Sequence, residues 1–263
     1  MKILVFLKQT PDTETKIQLS SSLASIETSD VKFIINPYDE YAIEEAIQIK
    51  DKNPGSEVVV ASFGNESVRE LIIKGLAMGG DRGLLIKNEN LLNVDSLTIA
   101  KILAAAVKKE NPDLVLIGKQ AIDDDNMHMA PMLAELLGWP HVNVVNKLTL
   151  DGNEAIAERE AEGGLLEVYK FTLPAVIGAN KTLNSPRYAA LPGIMKAKKK
   201  PFDVKTPADF GLDLTQLQSQ VKVTIKAYQY PPQKQSGKIL SGEPVEAMVA
   251  KIVKLLREEA KVI

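Results

Sequence analysis

Residues 113–138 read DLVLIGKQAIDDDNMHMAPMLAELLG. Leu114, Val115, Leu116 and Ile117 form a short apolar run that stops at Gly118. Met129, Met132, Leu133, Leu136 and Leu137 then fall at the i, i+3, i+4, i+7, i+8 spacing of one helix face. The stretch is therefore predicted as strand, loop and helix. In an open α/β sheet such a loop sits at the carboxyl edge of a strand, where ligands bind and the first amides of the next helix point their N–H groups. Residues 118–131 are predicted to be a nucleotide-binding loop.

The chain before this loop repeats the same alternation. Residues 2–7 alternate little and lead to Lys8 and a turn at Thr10-Pro11-Asp12, as a buried first strand would. Residues 16–19 and 31–35 are predicted as a short hairpin excursion. Asn36, Pro37 and Asp39 suit the N-cap, first and third positions of a helix over 37–50. Strands at 57–62, 83–87 and 114–117 alternate with helices at 66–78 and 95–109. Strands rich in Val, Ile and Leu without strict alternation, separated by helices, imply a parallel sheet covered on both faces. The fold class is α/β, with a Rossmann-like parallel sheet.

After Pro140 the pattern changes. Residues 143–150, 154–160 and 165–173 are predicted as antiparallel strands with turns at Asp151-Gly152 and Gly163-Gly164, and 175–179 as another short strand. Residues 183–201 lack periodicity and read as a long exposed loop, and 200–232 as a polar arm. A final helix over 244–259 carries Val245, Met248, Val249, Ile252, Val253 and Leu256 on one stripe, which needs cover from its own domain or another chain. The expected division is a Rossmann-like domain over 1–200, including an exposed loop at 179–201, and an arm with its helix over 201–263.

Composition narrows the chemistry. The 263 residues include no cysteine and only two histidines, His128 and His141, which removes disulfides, thiolate metal sites and a cysteine nucleophile and leaves little for acid–base work. No apolar run approaches the roughly 20 residues that span a bilayer, and MKILVFLKQ has no cleavable signal pattern, so a cytoplasmic location without membrane insertion is expected. A net charge of -2 argues against nucleic acid, although Lys196, Lys198, Lys199 and Lys200 form a local basic cluster. Within the 118–131 loop, Asp124 or Asp125 would also serve as a plain helix N-cap, and three aspartates could hold magnesium, although without a cation they would repel a phosphate.

GKQAIDDD from Gly118, followed by LGWP from Leu137, closely resembles the beta subunit of electron transfer flavoprotein. INPYDEYAIEEA from Ile35, LAMGGDRG from Leu76, LNSPRYAALPGIMKAKKKP from Leu183 and PPQKQSGKIL from Pro231 agree in order, so the resemblance covers nearly the whole chain. It implies an electron carrier subunit rather than an enzyme. Such a subunit binds AMP structurally, pairs with an alpha subunit holding FAD, and passes electrons from acyl-CoA or related dehydrogenases of fatty acid oxidation to a quinone oxidoreductase.

The resemblance places the nucleotide against Phe6, against Asn36, Pro37, Tyr38 and Asp39, and against Phe63. The loop would contribute Gly118, Lys119, Gln120, Ala121, Ile122, Asp123, Asp124, Asp125, Asn126, Met127, His128 and Met129. Relatives continue after the three aspartates with polar residues where this chain has Met127, His128, Met129, Ala130 and Pro131, which leaves phosphate contacts to backbone amides. Some relatives carry an aromatic residue near the flavin where this chain has Thr13. Leu191, between Ala190 and Pro192, matches the leucine that relatives insert into a dehydrogenase, with Arg187, Lys196 and Lys199 as a basic rim.

Two other readings compete. In a flavin-bifurcating relative, FAD replaces AMP and NADH is the donor; LKQTPD from Leu7 and Pro131 resemble that group, whereas Lys119 and Asp124 stand where it tends to have arginine and glycine. A free-standing nucleotide-binding module would have no use for the arm and terminal apolar helix.

Overall fold

The computed structural model describes residues 1–88, 91, 94–234 and 236–263. The chain enters through β1 (Lys2–Phe6), makes a small ribbon of β2 (Gln9–Pro11) and β3 (Phe33–Ile35), and turns into α1 (Pro37–Lys52). It continues as β4 (Glu57–Gly64), α2 (Arg69–Met78), β5 (Arg82–Lys87) and α3 (Ser96–Glu110). β6 (Leu114–Gly118), α4 (Met129–Leu137), β7 (His141–Asp151), β8 (Glu154–Glu160), β9 (Leu166–Thr172) and β10 (Ala175–Ala179) follow. The last elements are α5 (Leu191–Ala197), β11 (Phe202–Lys205), α6 (Leu214–Ser219) and α7 (Val245–Glu258).

Among the described residues the main sheet has nine strands in the order β11-β5-β4-β1-β6-β10-β7-β8-β9. It is parallel from β11 to β7 and antiparallel across β7, β8 and β9, so the antiparallel excursion continues the main sheet. Strand β1 is central and buried on both faces. Ile3 and Val5 pack with Ala42, Ile43 and Ile47 of α1 and Ile72 and Leu76 of α2. Leu4 and Phe6 pack with Ile102, Leu103 and Val107 of α3 and Leu133 of α4. Burial on both faces explains the unbroken apolar runs of the central strands. In β8 one face is wet instead, and Ala155 and Ala157 are buried while Glu154 and Ile156 are exposed.

Three local expectations change. The ribbon pairs 9–11 with 33–35, and residues 16–19 contribute only the bridge Leu19 to Ile26, because Thr10 and Pro11 run on as strand where a turn was expected. The stretch read as an irregular loop at 183–201 contains α5, seven residues with Pro192 at the helix start, too short to display a period. The stretch read as an arm from 200 begins with β11, which pairs in parallel with β5 while Phe202 lies under the Arg69 guanidinium, 4.4 Å from it to the ring centroid.

The chain divides into two compact units, 1–228 and 229–263. In the second, α7 buries none of its residues, and Val245, Val249 and Ile252 of its apolar stripe are exposed. No helix among the described residues is long and apolar enough to cross a membrane.

Candidate functional site

The sheet order sets the site. From β1 the chain builds outward through β4 to β5, then returns to place β6 on the other side of β1. In open α/β sheets, the carboxyl ends of the strands at such a reversal open the crevice that holds a ligand. Here a cleft of about 170 Å³ lies at that point. Its walls come from Phe6 at the end of β1 and Leu7 and Lys8 after it, Phe63 near the end of β4, Ser96, Ile99 and Leu103 of α3, and Ile117 and Gly118 of β6. Asn36, Asp39 and the loop residues Lys119, Gln120, Ala121, Asp124, Asn126, Met127, His128 and Met129 complete it.

Most of the residues expected around a nucleotide are thus brought together. Pro37, Tyr38, Ile122, Asp123 and Asp125 are outside the lining. Tyr38 faces Lys119, whose Nζ stands 5.0 Å from the ring centroid. Leu7, Lys8, Ser96, Ile99, Leu103 and Ile117 line the cleft without having been singled out. Phe6 and Ile117 end strands already legible as apolar runs, and a lysine directly after the first strand was the available signal for Lys8.

Asn36 occupies the position before α1, but its side chain makes no capping bond to that helix. Its Nδ2 donates to Gln120 O at 2.8 Å and its Oδ1 accepts the amide of Ile122 at 3.2 Å, so it ties the loop to the helix start. Asp39 likewise serves neighbouring strands rather than its own helix. Its Oδ2 accepts the Lys8 amide at 2.7 Å and its Oδ1 the Gly118 amide at 2.9 Å, closing the ends of β1 and β6 onto the first turn of α1. Burial pushes its carboxyl up to about 7, against the pull of those two amides and of Asn36.

The three aspartates do not cap α4, which starts at Met129 with His128 before it and no side-chain cap. Lys8 Nζ holds Asp123 at 2.8 Å and Asp124 at 3.1 Å, and Asp125 accepts from Gln120. Although its own partial burial opposes the shift, Lys8 keeps the Asp124 carboxyl below its ordinary value. No cluster of three or more His, Asp or Glu suited to a metal occurs among the described residues. Asp125 and Met127 adopt positive φ angles of 49° and 54°, uncommon for residues with a Cβ, so the loop needs outside support. Asn143 of β7 gives it: Nδ2 reaches Lys119 O at 3.3 Å and Met127 O at 3.4 Å, spanning the loop's two ends. That contact crosses from another strand and left no signal in the local sequence.

The amides of the loop differ in how they are used. Those of Gly118, Lys119, Ile122, Asp125 and Asn126 are bonded within the chain. Those of Ala121, Asp123 and Asp124 donate to no acceptor among the described residues. Apolar walls from Phe6, Ile99, Leu103 and Met129 beside free amides suit a flat ring joined to an anion, with Lys8 already committed to Asp123 and Asp124.

The segment carrying Leu191 is separate from the cleft. Leu191 is 78% exposed, and Lys196 and Lys199 are also exposed. Arg187 is not a free rim charge: it is ion-paired to Glu44 at 2.9 Å and Asp51 at 3.1 Å. Lys200 leaves the basic cluster and turns inward, its Nζ donating to Leu76 O at 2.9 Å and to Gly80 O at the end of α2.

The sheet defines a Rossmann-like, doubly wound α/β protein with a cleft at the reversal of strand order. Residues 24–210 match the electron transfer flavoprotein domain. The chain is 44% identical to the electron transfer flavoprotein subunit beta of Bacillus subtilis over 264 aligned positions, covering all of both chains. It is 39% identical to the human subunit beta over 98% of each chain, and 44% identical to that of Bradyrhizobium diazoefficiens over 85% of this chain and 89% of that one. The chain belongs to the electron transfer flavoprotein family, among its beta subunits.

Proposed function

We propose that this chain is the nucleotide-binding half of a two-subunit electron carrier, with AMP in the cleft at the end of β1 and β6. The observation that supports this reading is the pairing of an apolar slot with the unbonded amides of Ala121 and Asp124, both in its lining. The slot suits a purine and the amides suit a monophosphate, while Lys8 offsets the Asp123 and Asp124 carboxylates that would otherwise repel it. AMP supplies no redox chemistry; it fills the crevice and stabilises the folded loop. The carrier's redox centre is an FAD held by the alpha subunit, against which the apolar stripe of α7 packs. Electrons arrive from acyl-CoA or related dehydrogenases that dock on Leu191, and leave to a quinone oxidoreductase.

The test is to purify the chain with its flavin-bearing partner, denature it and identify the released nucleotides by mass. One AMP per heterodimer beside one FAD supports the reading. Two FAD and no AMP would place the chain among the bifurcating carriers, with NADH as donor. AMP added at about 100 times its dissociation constant should stabilise the nucleotide-stripped protein by roughly 2.7 kcal/mol.

A further inference from the structure

Tyr188, Leu191 and Met195 are 96%, 78% and 64% exposed, on the segment that the preceding reading assigns to dehydrogenase docking. Apolar side chains held out in water on a seven-residue helix and the turn before it keep one geometry only if the flanks are fixed. Both flanks are. Upstream, Arg187 forks onto Glu44, with Nε to Oε2 at 2.9 Å and Nη2 to Oε1 at 3.1 Å, and its backbone amide reaches the same Oε2 at 3.0 Å. Nη2 also touches Asp51 at 3.1 Å. Asn184 Nδ2 donates to Tyr41 O and to Glu45 Oε2, both at 3.0 Å. Downstream, α5 lies so close to α2 that a Cβ on Gly193 would sit 3.1 Å from Ala77 O, and Lys200 closes the end of α2.

Glu44 is 3% exposed, although it lies on a helix whose apolar face already supplies the core. A carboxylate in that position is costly unless paired; Gln48 Nε2 gives it one bond at 3.0 Å, and its other three bonds and its charge partner come from the residue immediately before the exposed Tyr188. Arg187 holds the Glu44 carboxyl below its ordinary value, overcoming the opposing effect of burial. A two-point fork fixes direction as well as distance, which a lysine cannot do.

We propose that the Glu44–Arg187 fork is a positioning device for docking: it fixes the segment leading to Leu191 on α1, so that the leucine is presented to a dehydrogenase before contact. Glu44 and Arg187 then act through Leu191, and the inference rests on the docking reading above. A segment ordered in advance loses less freedom on binding.

The experiment uses the heterodimer with an acyl-CoA dehydrogenase reduced by its substrate, and reads the carrier concentration at half-maximal rate together with amide hydrogen exchange over residues 184–196. Arg187→Gln should raise half-saturation about fivefold and speed exchange in that segment, with Arg187→Lys intermediate. In a Leu191→Ala background the same change should cost less than about twofold, because the fork acts only through the leucine. Glu44→Gln with Arg187→Gln removes both charges, and it carries the test if the single variant leaves a buried carboxylate that prevents folding. Unchanged half-saturation and exchange in both fork variants, or full additivity with Leu191→Ala, would overturn the proposal while leaving docking intact. If Leu191→Ala alone leaves half-saturation unchanged, the docking reading fails and the fork's role falls with it.

Discussion

Gly118 and Asp39 are locked together. The glycine amide donates to Asp39 Oδ1 at 2.9 Å, and a Cβ on Gly118 would stand 2.5 Å from that oxygen and 2.7 Å from Tyr38 Cβ. The missing side chain therefore makes room for the start of α1. Gly118→Ala is expected to destabilise the chain by about 1–3 kcal/mol through overpacking and to shift α1 off the end of β6. In thermal melts with and without added AMP, both curves should fall. A variant that melts like the parent without AMP, and loses only the AMP-dependent increment, would return Gly118 to a direct ligand role.

The Asp39 carboxyl gives that lock a pH dependence. Burial pushes it up to about 7, and the unfolded chain titrates near 3.9 or so. Between those values the folded chain holds a proton that the unfolded chain has released. The contribution of Asp39 to stability is therefore greatest at the acid end and falls as pH rises to about 7. Asp39→Asn has one carbonyl oxygen for two amide donors, so it should be less stable than the parent by about 1–3 kcal/mol at pH 5, and because this slope is removed the deficit should shrink or vanish by pH 8. Urea unfolding of both proteins at pH 5 and pH 8 measures the difference. Equal changes with pH in parent and variant would show that Asp39 is not the group responsible.

Asn143 supports a loop that contains two strained backbone positions, Asp125 and Met127. Asn143→Ala removes the donor that joins the loop's two ends. About 0.5–1.5 kcal/mol of loop stability should go with it, weakening AMP binding by up to about tenfold. Isothermal titration of nucleotide-stripped protein reads this directly, and unaltered affinity would mean that the loop holds its shape unaided.

What was legible in the sequence followed from burial. The doubly covered strands β1, β4, β6 and β10 read as apolar runs, and Ala155 and Ala157 in β8 kept the alternation of a half-exposed strand. The position of the cleft followed from strand and loop order alone. What stayed hidden depends on contacts distant in sequence. Lys8 meets Asp123, Asn36 meets Gln120, and Asn143 meets Met127, so each local stretch offers no sign of its partner. A lone Asn before Pro37 looks like a helix cap whether it bonds its own helix or a loop 84 residues away. Short elements escaped for another reason: α5 and β11 have seven and four residues, below the window in which a period can be counted.

Leu191 is the test of how the carrier meets its donors. At 78% exposure it contributes little to its own fold, and it stands at the first position of α5 with Lys196 and Lys199 exposed nearby. A single apolar anchor inside a charged rim suits a partner that must bind, exchange electrons and leave, because a large fixed interface would slow release. Leu191→Ala should raise the carrier concentration needed for half-maximal dehydrogenase oxidation about tenfold or more, equivalent to at least about 1.4 kcal/mol. AMP content, FAD content and melting temperature should match the parent, since the side chain is not part of the core. On the docking reading the lysine rim steers the encounter and the leucine sets its lifetime, so raising ionic strength should slow association for parent and variant alike. An unchanged half-saturation at low salt, or a melting temperature that falls with the substitution, would remove Leu191 from the docking role.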